Sequence, residues 1–209
     1  MKSNYENEGK VFIIGLGPGH RDYILPKAIE TLKSVDLILG FKRALESIDF
    51  IEGNKEVIGT LKDTVSMINE NKELNIGVLA SGDPSYYGIT NYIKNNVSMT
   101  IEVIPGLSSF QYLTTKLVLP WQGAYLGSMH GREDNFINKV KEYEMSLWLT
   151  DKKYKANYLC EMLVNANIRA TMYVGENLSY EDEKITIGTL EELRLRDFSD
   201  LSVVVIKKS

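Results

Sequence analysis

Three observations predict an α/β chain in two domains. Short apolar runs alternate with stretches of helical periodicity along almost the whole sequence. Several of those runs end in glycine-bearing loops. The segment Leu119-Pro120-Trp121-Gln122-Gly123 interrupts the alternation, and a second strand–helix series follows it. Alternation of this kind builds a mainly parallel sheet covered by helices on both faces, and ligands then collect at the loops that leave the C-terminal ends of the strands. Pro and Gly so close together suit a connection, so the boundary is placed there, giving domains over 1–119 and 120–209.

In the first half, the apolar run over 11–14 closes with glycine and reads as a buried strand. Ile24, Ala28, Leu32 and Val35 share one side of a helix over 24–34, and Pro26 suits its first turn, where no N–H partner is required. A strand over 36–39 ends at Gly40, a helix covers 41–48, a brief strand 57–58 and a helix 63–71. Strands over 76–80 and 101–104 each precede a helix, at 86–95 and 107–117. The second half reads as strands over 124–129, 146–149, 170–174, 184–187 and 202–206, with helices over 136–143, 156–165 and 190–194. The Glu191-Glu192 and Arg194/Arg196 charges read as a solvated helix face.

Bulk properties narrow the function. With 209 residues, 44% apolar and 25% charged, the chain can bury ordinary globular cores. A formal net charge of -4 argues against nucleic acid as the main ligand. The single cysteine, Cys160, sits in an apolar helical stretch and reads as a buried core thiol in a reducing compartment. One cysteine and two distant histidines, His20 and His130, do not supply a structural zinc site, so no protein-bound metal is expected. No run approaches the ~20 apolar residues of a membrane span, and the polar stretch over 1–10 has no signal core, so a cytoplasmic protein off the membrane is expected.

Three loops are placed to carry chemistry. Gly15-Leu16-Gly17-Pro18-Gly19 follows the first strand, and its glycines permit close backbone approach. It is not a dinucleotide fingerprint, because His20 stands where the third glycine belongs and Pro18 removes a donor; nor does Gly-Lys-Ser/Thr follow, as a P-loop requires. Taken alone it reads by default as a tight strand-to-helix turn with no ligand. Ser81-Gly82-Asp83-Pro84-Ser85-Tyr86-Tyr87-Gly88 follows another strand. Asp83 before Pro84 is biased toward an extended backbone, which would expose main-chain groups around Ser81 and Gly82; a helix start capped by Asp83 is the plainer alternative. Pro105-Gly106-Leu107-Ser108-Ser109 ends a third strand, with two hydroxyls fit to cap a helix or to meet a ligand.

Together, in this order and spacing, the three loops resemble the motifs of the tetrapyrrole (corrin/porphyrin) methylases, and the likeness runs from about Val11 through Ile206. Four further stretches resemble the branch that methylates C5 of cobalt-precorrin-7. They are the run from Val35 to Arg43, Leu119-Pro120-Trp121-Gln122, Ser128-Met129-His130-Gly131-Arg132 and the run from Glu176 to Glu183. The resemblance implies two αβα domains with an active-site cleft between them, S-adenosyl-L-methionine as cofactor, a corrinoid substrate and a homodimer. It implies cofactor contacts at Pro18, Ser81, Gly82, Asp83, Tyr86, Ser108, Ser109, Thr150 and Leu178. A C15-methylating, decarboxylating domain is fused behind some relatives; here it is expected as a separate partner protein.

A substrate studded with carboxylates needs cations, and Arg21, Lys42, Arg43 and Arg132 lie beside these motifs; each is equally readable as an ordinary surface charge. His130 and Asp22 are the candidates to assist proton loss after methyl transfer. Rival readings are a sister methylase acting at another ring position, an RNA methylase of the same fold, and a non-catalytic protein that binds the cofactor.

Overall fold

The structure, a computed structural model, describes residues 8–208; most of the polar stretch read as lacking a signal core lies outside them. The chain divides into two compact units, Met1–Ser108 and Ser109–Ser209.

The first unit is built on a five-stranded, wholly parallel sheet in the order β3-β2-β4-β1-β5: β1 Lys10–Gly15, β2 Leu37–Gly40, β3 Lys55–Val57, β4 Ile76–Ala80 and β5 Thr100–Ile104. Side chains alternate across a strand, so Val11, Ile13, Leu37, Leu39 and Val78 pack with Ile68 and Ile93 from helices α3 (Leu61–Glu70) and α4 (Thr90–Asn96). Ile14, Ile38 and Leu79 pack on the other face with Ala28 and Leu32 of α1 (Pro26–Ser34) and with Ile48, just past α2 (Lys42–Glu46). Both faces are covered, as the near-continuous apolar strands predict.

Helix α4 shows the largest delay between the start its periodicity suggests and the start observed. The expected helix over 86–95 begins at Thr90, because Tyr87 holds a left-handed φ of 51° and the Pro84 carbonyl accepts from Thr90 Oγ1 at 2.7 Å. The intervening residues form a compact loop instead of the helix start capped by Asp83.

The second unit carries a mixed sheet in the order β6-β7-β10-β8-β9: β6 Tyr125–Ser128, β7 Met145–Leu149, β8 Ala170–Glu176, β9 Lys184–Thr189 and β10 Ser202–Lys208. Only β6 and β7 pair in parallel; β10 runs antiparallel between β7 and β8, and β8 turns back directly into β9. Direct turns yield antiparallel pairs, since a parallel pair needs a crossover of a dozen or more residues. Helices α6 (Phe136–Glu142), α7 (Ala156–Asn165) and α8 (Leu190–Leu193) pack one face around the fully buried Trp148.

Helix α5 (Ser109–Lys116) packs on β10, and Leu113 reaches Gly175. It therefore belongs to the second unit. The division falls within the third glycine loop, at 108/109, while the Pro-Gly segment over 119–123 forms a turn inside the second unit. Among the described residues, no helix is long and apolar enough to cross a membrane.

Candidate functional site

The three glycine loops leave β4, β1 and β5, which are neighbours in the sheet with β1 in the middle. They interlock through the main chain. A Cβ on Gly15 would lie 2.6 Å from the Gly106 nitrogen and 2.8 Å from the Gly82 oxygen, and one on Gly106 would strike the Gly82 carbonyl. Gly17 (φ 75°) and Gly82 (φ 66°) form a two-residue bridge: Gly82 N–H donates to the Gly17 carbonyl at 2.8 Å, and Gly17 N–H returns at 3.4 Å. Gly82's main-chain groups are thus occupied by the neighbouring loop, contrary to the expectation that they stand open. What Gly82 presents is a backbone without a side chain, over which a ligand can pass closely.

Around this knot stand Pro18, partly buried, the exposed Ser81, the half-buried Asp83 and Tyr86, and Ser108, which is buried. Asp83 Oδ1 accepts from Ser85 N–H at 2.7 Å, a turn closed by a side chain. Its other oxygen has no partner among the described residues. The 3-10 turn Arg21–Tyr23 continues the first loop and carries Arg21 and Asp22, both exposed. Arg21 lies over the Phe50 ring at 5.7 Å, and His20 Nδ1 is 3.6 Å from Asp22. Lys42 and Arg43 open α2 just after β2, the other neighbour of β4, so their chain positions share the same sheet rim.

The remaining sequence candidates lie in the second unit. Ser109 is the first residue of α5. The others gather at one rim of the second sheet: His130 and Arg132 follow β6, Thr150 follows β7 and Leu178 follows β8. Thr150, 2% exposed, donates its hydroxyl to the Ser202 carbonyl at 2.8 Å and accepts from Ser202 N–H at 2.8 Å. Leu178 is buried over Gly175. Its turn is tied by Ser179 N–H donating to Glu183 at 2.7 Å and Asn177 donating to Asp182 at 2.7 Å.

His130 and Arg132 are exposed. His130 Nδ1 lies 3.1 Å from the Thr150 carbonyl, and His130 N–H donates to Ser128 Oγ at 3.2 Å. Asp151, which sequence reasoning missed, accepts from Gly131 N–H at 2.8 Å through Oδ2, and from Lys153 and Tyr154 N–H at 2.9 and 2.8 Å through Oδ1. Partial burial pushes the Asp151 carboxyl up, but the three N–H donors, with the nearby His130 ring, outweigh it and hold the group below the usual carboxylate range. The only sequence signal for Asp151 is an acidic residue just past the end of a strand, beside the candidate Thr150. Ser202 and Glu176 were also missed. Glu176 is buried with Oε1 accepting from Ser199 N–H at 2.7 Å and Oε2 unpartnered among the described residues. Trp121 packs edge-on against Phe110 at 5.3 Å beside an open groove lined by Thr114, Val118, Leu119, Pro120 and Gln122.

A parallel sheet with interlocked glycine loops on adjacent strands, followed by a mixed sheet, defines a two-unit α/β protein with a backbone-built rim. The chain belongs to the tetrapyrrole (corrin/porphyrin) methylase family, whose model matches residues 10–194. It is 36% identical over 207 residues to a probable cobalt-precorrin-7 C(5)-methyltransferase of Methanocaldococcus jannaschii, across 93% of this chain and 96% of the relative. The cobalt-precorrin-7 C(5)-methyltransferase of Salmonella typhimurium is 30% identical over 176 residues, across 83% of this chain and 87% of the relative. The crystal structure of the cobalamin biosynthesis precorrin-6Y methylase from Archaeoglobus fulgidus shares the fold, with a TM-score of 0.77 at 20% identity over 96% of this chain and 98% of that one.

Proposed function

We propose that this protein transfers a methyl group from S-adenosyl-L-methionine to C5 of cobalt-precorrin-7 in cobalamin biosynthesis. The observation that carries the reading is the interlocking of the three glycine loops on β4, β1 and β5, in a chain that matches cobalt-precorrin-7 C(5)-methyltransferases along most of its length.

Pro18, Ser81, Gly82, Asp83, Tyr86 and Ser108 hold the cofactor on the first unit; Ser109, Thr150 and Leu178 are assigned to it on the second. Bound there, the cofactor supplies an electrophilic methyl carbon whose bond to sulfur breaks as the bond to C5 forms, the electron pair staying on sulfur. The second carboxylate oxygen of Asp83 would balance the cofactor's sulfonium or bind its amino group. Alignment of donor and nucleophile is the protein's main contribution, and such positioning supplies several kcal/mol, up to roughly 7–11. His130 takes the proton the ring must then lose, with Asp22 the second candidate. Arg21, Lys42, Arg43 and Arg132 pair with the substrate's carboxylates; arginine's forked donors suit that task. The protein acts in the cytoplasm as a homodimer, and a separate partner carries out the C15 methylation and decarboxylation.

Incubation with adenosylmethionine and either cobalt-precorrin-7 or uroporphyrinogen III, followed by mass spectrometry, tests this. A gain of one methyl on the first and none on the second is expected; the reverse makes the protein a sister methylase. In the same assay Asp83→Asn keeps the turn to Ser85 but removes the charge. It is expected to weaken cofactor binding by about tenfold, the effect of one modest charge-assisted contact.

A further inference from the structure

We propose that Asp151 is a positioning residue that strips His130 of alternatives and fixes its imidazole as the proton acceptor, by strapping the 130–132 turn to the end of β7. The inference rests on the methyl-transfer reading above.

His130 and Arg132 stand on an exposed turn with Gly131 in a left-handed conformation (φ 64°) between them. Left to itself, such a turn gives its side chains no fixed direction. Two bonds cross from the segment just past β7 to hold it: Asp151 Oδ2 accepts from Gly131 N–H at 2.8 Å, and the Thr150 carbonyl meets His130 Nδ1 at 3.1 Å. Below them, Met129 N–H donates to the Leu149 carbonyl at 2.9 Å. The Thr150 carbonyl is itself steady, because the Thr150 hydroxyl is locked to Ser202 in the buried sheet end.

The chemistry of this strap is directional. A carbonyl oxygen only accepts, so Nδ1 must carry the proton, and the neutral ring then presents its lone pair at Nε2. Nε2 has no partner among the described residues. A ring in this tautomer is set to take up a proton.

The two oxygens of Asp151 do separate jobs. Oδ1 closes the local turn through Lys153 and Tyr154 N–H; Oδ2 reaches Gly131, twenty residues back. A cap needed only for the local turn would not require the second reach. The division also makes the inference testable. In Asp151→Asn the amide oxygen keeps both local bonds, while its NH2 faces Gly131 N–H and cannot accept from it.

The experiment uses the full chain, with nitrogen NMR of the imidazoles and steady-state kinetics on adenosylmethionine and cobalt-precorrin-7. There are two histidines to resolve, and His130→Gln assigns the signals. Wild type is expected to show neutral His130 protonated on Nδ1. In Asp151→Asn that tautomer is expected to lose its dominance, kcat to fall about tenfold, and both KM values to stay in place, as expected for a displaced proton acceptor. Asp151→Glu, which restores an acceptor on a longer arm, is expected to recover part of the kcat.

An unchanged tautomer in Asp151→Asn overturns the proposal. So does a loss of kcat accompanied by equal rises in both KM values and a lower melting temperature, which marks a merely structural role. Full kcat in His130→Gln overturns it as well. Failure of the wild type to methylate cobalt-precorrin-7 defeats the functional reading instead, and the tautomer measurement still decides whether the strap exists.

Discussion

The two units build their rims from different material. In the first, the loops after β1, β4 and β5 touch backbone to backbone: Gly15 against Gly106, Gly106 against Gly82, Gly82 bridged to Gly17. In the second, the corresponding ends are joined by side chains: Thr150 to Ser202, Asp151 to Gly131, Glu183 to Ser179. A backbone-built rim has almost no tolerance at its glycines: at Gly15, Gly17 and Gly106 a Cβ meets a main-chain atom that cannot swing away, and at Gly82 the left-handed φ of 66° disfavours any side chain. A side-chain-built rim fails one hydrogen bond at a time. The first is suited to lining a ligand closely and the second to aiming individual groups.

The largest expected effect therefore falls on the first unit. In Gly106→Ala the new Cβ meets the Gly82 carbonyl and the Gly15 backbone, so two loops must shift together. Overpacking against side chains costs about 1–3 kcal/mol; against backbone on two sides the loss is expected at roughly 3 kcal/mol or more. Urea denaturation measures it, and cofactor binding is expected to be lost with it. A Gly106→Ala protein of native stability would show that the loops are not interlocked and would erase the contrast.

Next comes Thr150→Val, nearly the same shape without the hydroxyl. Ser202 N–H loses its acceptor inside a buried sheet end, a cost of about 1–3 kcal/mol. Because the Thr150 carbonyl remains, the His130 contact is expected to survive in part, so stability falls more than kcat does. A larger loss of kcat than of stability would mean that the second rim, like the first, is one rigid piece.

The same contrast explains what was legible in the sequence. Gly15, Gly17, Gly82 and Gly106 stand out because glycine with proline within a few positions, just after an apolar run, is a local pattern with a local cause. Adjacency of the three loops depends on the strand order β4-β1-β5, which no local pattern encodes. Periodicity found every strand but not its direction, and so missed that β10 runs antiparallel between β7 and β8. The late start of α4 depends on the left-handed Tyr87, a conformation that residue type does not announce. Thr150 was singled out from a resemblance, but its partner Ser202 is 52 residues away, and Asp151 acts on a residue 20 positions back. Bonds of that reach leave no periodic trace. Likewise, the apolar side of α5 announced a buried helix without saying which sheet it covers, and that choice puts the division at 108/109 instead of in the Pro-Gly segment.

The smallest effect concerns the core beneath the second rim, and it sharpens the comparison because the first unit holds no cysteine. Cys160 on α7 is fully buried, with its thiol 3.3 Å from the Met172 sulfur. Burial pushes the thiol up to about 12, opposed by a backbone contact and assisted to a lesser degree by the nearby Glu191 charge. An unfolded cysteine titrates near about 8.5, so between that value and about 12 the native state binds more protons than the unfolded one. Stability from this group is intact below the unfolded value and declines as pH rises through the interval. At about pH 8, where a free thiol reacts readily with a disulfide reagent, the native protein is expected to be inert and to release one equivalent only in denaturant. The urea midpoint is expected to drop between about pH 8 and 10, and Cys160→Ala to remove most of that slope while lowering stability at pH 7. A native thiol that labels promptly would mean that the second unit opens beneath its rim, and that the side-chain bonds at Thr150 and Asp151 rest on a less rigid base than the glycine knot of the first.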